Sequence, residues 1–239
     1  MRAPGVLVAI VLVAGCGVPT AAPKQATKQA PKQATTQVPR QVGDEPVVPR
    51  VDRPAADTPR KPARVRVPYE ASGRYVTVRG EDAPRAGRGP VIRYRVEVER
   101  GLPYRGQEFA AQVHRTLNDP RGWGRFRRVD SGPVRLSVAL SSPATTNRQC
   151  LPLNTGGDLS CWNGSRSVIN AVRWAKGVPQ YADLGAYRQY VISHEVGHGL
   201  GHGHRSCPRR GAKAPVMAQQ SKSLGGCRPN PWPYPRSAA

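Results

Sequence analysis

The stretch that decides the fold is a segment rich in histidine and glycine in the C-terminal part of the chain. It runs His194-Glu195-Val196-Gly197-His198-Gly199-Leu200-Gly201-His202-Gly203-His204. Because an α-helix has about 3.6 residues per turn, the first two histidines, His194 and His198, fall on one face of a helix. Two neutral imidazoles at this spacing can chelate one Zn²⁺ ion. The segment therefore predicts a metal site carried by a helix.

The residues before this segment predict which way the imidazoles point. Leu184, Tyr187 and Val191 follow one another at steps of three and four residues, as on the apolar face of a helix. The two histidines continue this series. We therefore expect a long helix from Tyr181 to about Gly201, with both imidazoles directed into the protein rather than towards water.

Glu195 and His204 complete the expected chemistry. The Glu195 carboxylate lies next to the first histidine and can reach a zinc-activated water without itself binding the metal. A catalytic zinc also needs a third protein ligand and an open coordination position. Gly201 lets the chain leave the helix and turn back, which would bring His204 to the metal. A helix continued past this point would bring His202 there instead, but the three glycines of the segment favour His204.

The full pattern resembles H-E-x-x-H-x-x-G-x-x-H, the signature of the metzincin superfamily of zinc metalloproteases. Downstream, Ala214-Pro215-Val216-Met217-Ala218 is placed like the methionine-containing turn of that superfamily. The resemblance implies a hydrolase that cleaves peptide bonds with a zinc-activated water and needs no protein nucleophile. It implies roles at matching positions: zinc ligation by His194, His198 and His204, general base catalysis by Glu195, and a structural floor under the zinc at Met217.

A narrower resemblance surrounds the motif. The chain is similar to a family of secreted actinobacterial proteins known as a domain of unknown function, over roughly residues 65–236. The similar segments are Tyr187-Arg188-Gln189-Tyr190-Val191-Ile192, Met217-Ala218-Gln219-Gln220 and Asn230-Pro231-Trp232-Pro233-Tyr234-Pro235. This similarity implies the same fold and zinc site but no substrate.

The N-terminus predicts export. Arg2 is followed by an apolar run, Val6 to Ala14, that is too short for a stable membrane span, so residues 1–15 are expected to be a signal peptide. Val13-Ala14-Gly15-Cys16 resembles the bacterial lipobox, which implies lipidation of Cys16 and anchoring at the extracytoplasmic face of the membrane. The alternative is an ordinary cleaved signal and a secreted protein. Residues 16–68, rich in Lys, Gln, Ala and Pro, predict a disordered tether.

The remaining cysteines agree with an oxidising compartment. They are Cys150, Cys161, Cys207 and Cys227, an even number that predicts two disulfides. Three pairings are possible. The local pairs 150–161 and 207–227 are favoured because each closes a short loop rich in Gly, Pro and Ser, and the absence of a C-x-x-C spacing argues against a cysteine zinc site. A 207–227 bridge would enclose Met217 and fix the floor under the metal.

Residues 69–239 are expected to form one α+β domain with an α/β-like N-terminal lobe. Alternation predicts strands at Tyr75–Val78, Ile92–Glu99, Val134–Leu140 and, less regularly, Val168–Trp174. Apolar residues at four-residue steps predict a helix at Gly106–Asn118. The metzincin resemblance implies a small mixed sheet, an active-site helix, an irregular C-terminal lobe stapled by a disulfide, and a substrate-pairing sheet edge at Val168–Trp174. His114, off the apolar face of the first helix, is expected at the surface.

The net charge of +22 comes mainly from arginine spread along the whole chain, without a nucleic-acid-binding signature, so no nucleic-acid partner is expected. The expected partners are a peptide or protein substrate in the cell envelope and, through the lipid anchor, the membrane. Three functions remain open: a membrane-anchored zinc peptidase, a zinc amide hydrolase acting on cell-wall peptides, and a lipoprotein that binds zinc without turnover. Glu195 argues against the third, because a non-catalytic zinc site does not need it.

Overall fold

The computed structural model describes residues 65–235. The expected signal peptide, the Cys16 lipidation site and the tether up to residue 64 lie outside the described residues. The helices and strands within them are β1 Tyr75–Thr77, β2 Val91–Glu99, α1 Gly106–Leu117, β3 Arg125–Arg128, β4 Leu136–Ser141, α2 Pro143–Gln149, β5 Cys161–Trp162, β6 Arg166–Asn170, α3 Ala171–Lys176 and α4 Leu184–Gly199.

The described strands form one mixed six-stranded sheet in the order β1-β2-β4-β6-β5. Strands β2, β4 and β6 are parallel neighbours, whereas β1 and β5 pair antiparallel at the two ends. The short strand β3 pairs in parallel with the first half of β2, and β1 pairs with its second half. The structure therefore confirms an α+β fold with a mixed sheet.

The main core lies between one face of this sheet and the helices α1 and α4. Side chains alternate along β2 and β4, so every second residue faces the helices. Helix α4 contacts α1 and the strands β4, β5 and β6, which holds it across the C-terminal half of the sheet. The buried strand residues on this face include Tyr94, Val96, Val98, Leu136, Val138, Leu140 and Ile169, and they meet Phe109, Val113 and Leu117 of α1.

The expected strand at Val168–Trp174 is wrong in its second half. The strand β6 ends at Asn170, whose side-chain oxygen accepts a hydrogen bond of 2.9 Å from the Val172 amide and so begins the helix α3. The segment is also not an edge of the sheet, because β6 lies between β4 and β5. The edge strand next to β6 is β5, which has only two residues. A strand this short shows no alternation of apolar and polar residues, so the sequence does not predict it.

The active-site helix is shorter than expected at its N-terminal end. It begins at Leu184 because the Asp183 carboxylate caps it, accepting hydrogen bonds from the Gly185 and Ala186 amides at 3.1 and 2.8 Å. Among the described residues, no helix is long and apolar enough to cross a membrane.

The disulfides and the position of His114 lie within the described residues. Both local disulfides are confirmed: Cys150 pairs with Cys161, and Cys207 pairs with Cys227. The surface position of His114 is wrong, because its ring is half-buried, stacks on Tyr94 and lies 3.0 Å from both the Tyr94 hydroxyl and the Ala83 carbonyl oxygen. Its polar partners come from other segments, which helical periodicity does not reveal.

Candidate metal centre

The structure brings three imidazoles together at the C-terminal end of α4. One nitrogen atom each of His194, His198 and His204 lies within 4.8 Å of the others, the only group of three or more potential metal ligands in the described part of the chain. The Nε2 atoms of His198 and His204 are 3.1 Å apart. His194 is 5 % exposed, His198 is half-buried and His204 is exposed, so the group is open on one side.

Backbone carbonyls orient the two helical histidines. The Nδ1 atom of His194 donates to the Val216 carbonyl oxygen at 2.8 Å, and Nδ1 of His198 donates to the His202 carbonyl oxygen at 2.9 Å. A carbonyl oxygen can only accept, so both Nδ1 atoms carry the hydrogen. The unprotonated Nε2 atoms are then the ones free to bind a metal.

His202, the alternative ligand, is held elsewhere. Its ring stacks on Trp123 with a centroid distance of 4.2 Å, and it is not part of the three-histidine group. Trp123 is itself fixed because its Nε1 donates to the Ser193 carbonyl oxygen at 2.7 Å. His202 thus contributes its backbone carbonyl to the centre, while its side chain packs on Trp123.

Gly201 allows the chain to leave the helix. Its φ angle is +94°, a left-handed conformation that glycine adopts without steric cost. The following amide, that of His202, donates back to the Gly197 carbonyl oxygen at 3.0 Å, which closes the helix end. This exit returns the chain so that His204 faces His198.

Met217 lies in a loop closed by the second disulfide, residues 207–227, which we call the floor loop. The Met217 side chain is buried and lies against α4 at Gly197, where a Cβ atom would stand only 2.5 Å from the Met217 sulfur and 2.9 Å from the Trp123 ring. Glycine at 197 is therefore required for this close approach. The residue before Met217 supplies the carbonyl that holds His194, so the position of the floor loop sets the position of a candidate ligand.

Buried amide side chains fix the floor loop from below. Gln220 is fully buried; its Oε1 accepts from the Tyr181 hydroxyl at 2.8 Å and the Asn230 amide at 2.9 Å. Its Nε2 donates to the carbonyl oxygens of Pro215 and Asn230 at 3.2 and 2.8 Å. Asn230 in turn donates to the Ala214 carbonyl oxygen at 2.8 Å. These bonds replace the apolar contacts that such a Gly/Pro-rich segment lacks.

Tyr190 connects this network to the active-site helix. Its hydroxyl donates to the Ala218 carbonyl oxygen and accepts from the Gln220 amide, both at 2.9 Å. Sequence reasoning assigned no role to Tyr190, Gln220 or Asn230, although all three fall in the segments that carried the narrower resemblance. A polar residue in irregular chain gives no sign of burial, so only that resemblance could have drawn attention to them.

A cavity of about 270 Å³ opens beside the three histidines. Glu195 lines this cavity together with the three histidines. It follows His194 directly on α4, as the sequence predicted. One side is formed by residues 150–161, closed by the first disulfide, which we call the wall loop. The lining residues outside the histidine group and Glu195 are Leu153, Asn154, Thr155, Leu159, Ser160, Cys161, Trp162, Tyr190, Gln219, Ser221 and Lys222.

The electrostatics of the centre favour neutral imidazoles. Burial, with a smaller effect of the neighbouring His198 and His204, lowers the pKa of His194 to about 3. Burial also lowers the pKa values of His198 and His204, and the positive charge of Lys222 adds to the effect on His204. Neutral imidazole is the form that binds a metal ion. Burial raises the pKa of Glu195 to about 8, a perturbation typical of functional carboxyls in clefts.

The comparisons with known proteins identify a family. The family described as "Protein of unknown function (DUF3152)" matches residues 61–226, so the chain belongs to this family. Neither the comparison with curated proteins nor that with solved structures gave a match.

Proposed function

We propose that this member of the DUF3152 family is a zinc-dependent peptidase of the metzincin type, acting in the cell envelope. One observation carries the proposal: three imidazole nitrogens within 4.8 Å of one another share a cavity with the carboxyl group of Glu195. Three nitrogen ligands with an open side are the donor set of a catalytic zinc, whereas structural zinc sites are closed by four protein ligands. The donors present therefore fit the metal.

Each group has a distinct task in this proposal. His194, His198 and His204 would hold the metal through nitrogen atoms. A zinc ion supplies a Lewis acid, which lowers the pKa of water to about 7 and polarises the scissile carbonyl. The positive charge of a bound metal ion would favour the ionised form of Glu195. The carboxylate would then accept a proton from the attacking water and later donate it to the leaving nitrogen. Tyr190 and the wall loop line the cavity, and the exposed His204 leaves the substrate access from its side.

The proposal is tested with the purified chain loaded with zinc and assayed against a mixed library of fluorogenic peptides. We expect one zinc per chain, lost when His194, His198 or His204 is replaced by Ala. Glu195→Gln should retain zinc and lose activity by at least about 100-fold, since a general base contributes that much or more. Glu108→Gln, on the exposed surface of α1, is the matched control and should be fully active.

Two outcomes would contradict parts of the proposal. Zinc bound by the wild type without Glu195-dependent cleavage of any peptide would refute the peptidase assignment and leave a zinc-binding protein or a hydrolase of other amides. Zinc affinity that survives loss of any one of the three histidines would refute the ligand set. The proposed anchoring by Cys16 is tested separately, by metabolic labelling with a fatty acid in wild type and Cys16→Ser.

A further inference from the structure

The two sides of the cavity differ in chemistry. The wall loop and the strand after it present uncharged side chains only. Three are apolar, Leu153, Leu159 and Trp162, and three are polar, Asn154, Thr155 and Ser160. The floor loop presents polar side chains on the other side, Gln219 and Ser221, and one cation, Lys222. Apart from the histidine group and Glu195, Lys222 is the only lysine, arginine, aspartate or glutamate among the described residues that line the cavity.

Lys222 is held at its backbone and free at its ammonium group. Its amide donates to the Gln219 carbonyl oxygen at 2.9 Å, and its carbonyl oxygen accepts from the Gln180 side chain at 3.0 Å. The neighbouring Ser221 hydroxyl lies 3.2 Å from the Tyr187 hydroxyl of α4. None of the ion pairs among residues 65–235 includes Lys222. The described residues therefore place a cation at the cavity and form no ion pair with it.

The carboxyl group of Glu195 does not serve as the anion for Lys222. Glu195 is 5 % exposed on the buried side of α4, and its carboxyl is committed to proton transfer in the proposed function. A cation next to a cleft selects ligands of opposite charge and speeds their association. The missing anion is then expected to come from the substrate.

We propose that Lys222 makes this site selective for peptides that carry a carboxylate close to the scissile bond. The carboxylate can belong to an acidic side chain or to the C-terminus of the substrate. The wall loop, which presents no charged side chain to the cavity, accepts an uncharged side chain of the substrate on the opposite side of the cleft. This inference rests on the proposed peptidase function and specifies its substrate class.

The test compares peptides that differ in one charge. Each peptide of the series carries Glu or Gln at one position near the scissile bond and is made with either an amidated or a free C-terminus. We expect the wild type to favour the carboxylate member by about fivefold or more in kcat/KM at low salt, with a smaller ratio at high salt. Preference for Glu identifies a side-chain carboxylate, and preference for the free C-terminus identifies an exopeptidase.

The variants decide whether Lys222 causes the preference. Lys222→Gln should abolish it and Lys222→Glu should reverse it, mainly through KM, while zinc content stays at one per chain. Lys176→Gln, an exposed lysine at the end of α3, is the matched control and should keep the wild-type ratio. Equal cleavage of charged and neutral peptides by the wild type, or a preference that survives in Lys222→Gln, would overturn the inference and leave the peptidase function intact.

A second readout does not depend on turnover. Binding of the same peptides to zinc-loaded Glu195→Gln is measured by fluorescence anisotropy, with and without Lys222→Gln. We expect the carboxylate peptide to bind more tightly, by about fivefold, only when Lys222 is present. Absence of cleavage with charge-dependent binding would refute the peptidase function alone. Absence of both would overturn this inference as well.

Discussion

The floor loop and the wall loop are both closed by a disulfide and both border the same cavity, yet they are built differently. The floor loop, with a separation of 20 residues between its cysteines, turns Val216, Met217 and Gln220 inward. The wall loop, with a separation of 11, leaves Leu151 and Leu153 exposed at 72 % and 58 %. Both loops are thus closed by a disulfide, but only the floor loop buries its large apolar side chains.

The contacts of the two loops explain the difference. The floor loop is tied to α4 at several points, including the His194–Val216 and Tyr190–Ala218 hydrogen bonds. The wall loop is attached through its middle, where the Gly157 amide donates to the Asn147 side chain at 2.9 Å and the Gly157 carbonyl oxygen accepts from Asn170 at 2.9 Å. We infer that the floor loop positions the metal ligands and also carries Lys222, whereas the wall loop contributes to substrate binding only.

Among changes that leave the three histidines in place, opening the floor loop is expected to have the largest effect on metal affinity. In Cys207→Ser with Cys227→Ser, the unfolded chain gains loop entropy worth roughly 3 kcal/mol. The Val216 carbonyl would no longer hold His194 in place, and loss of such an orienting partner weakens metal binding by about 10- to 100-fold. Zinc affinity is measured by competition with a chelator, and stability by denaturant unfolding of the metal-free protein. Unchanged zinc affinity in the double variant would show that the disulfide does not position the floor.

A somewhat smaller effect is expected from Gln220→Leu. The substitution removes the partners of the Tyr181 hydroxyl, the Asn230 amide and two carbonyl oxygens, and each unsatisfied buried group costs about 1–3 kcal/mol before relaxation. We expect a net loss of about 2 kcal/mol in unfolding free energy and roughly tenfold weaker zinc binding. Gln219→Leu, at the exposed neighbouring position, is the matched control. Equal effects at 219 and 220 would mean that burial of the amide is irrelevant.

Sequence patterns predicted those parts of the fold that depend on local periodicity. The strand β2 and the helix α1 begin within one residue of their expected positions, because alternation and four-residue steps are properties of neighbouring residues. The three-histidine group also followed from local spacing, since helical phase and one glycine exit place all three side chains. The local disulfide pairs were predictable because short loops favour them.

The rest depends on contacts between distant segments. Trp123 donates a hydrogen bond to the Ser193 carbonyl oxygen, 70 residues away in the sequence. Its ring also stacks on His202, the alternative candidate for the third metal ligand. The amides of Gln220 and Asn230 are buried only because floor, helix and C-terminal segment meet. The edge strand β5 exists only by pairing with β6. Contacts between distant segments leave no periodic pattern in the sequence. The sequence therefore predicted the candidate metal ligands but not the residues that hold them in place.

A more local change to the floor is Gly197→Ala. The added methyl group would stand 2.5 Å from the Met217 sulfur, so Met217 or α4 must shift. Overpacking of this kind costs about 1–3 kcal/mol, and we expect about fivefold weaker zinc binding because the next residue is His198. Gly124→Ala is the matched control, since a Cβ there meets no atom within 4 Å. The pairing of Gly197 with Met217 would be confirmed if shortening Met217 to Ala in the same chain restored part of the affinity.

The smallest effect on metal affinity is expected from opening the wall loop with Cys150→Ser and Cys161→Ser. The entropy of loop closure differs from that of the floor loop by only about 0.5 kcal/mol, so the two double variants should lose similar stability. Their zinc affinities should nevertheless diverge, because no residue of the wall loop contacts a candidate ligand through a hydrogen bond in the described structure. We expect unchanged zinc affinity and a KM raised about fivefold for peptides, since Leu153 and Leu159 would no longer be held at the cavity. Loss of zinc from this variant in proportion to its lost stability would mean that the two loops act on the metal through global folding alone, and the division between floor and wall would fail.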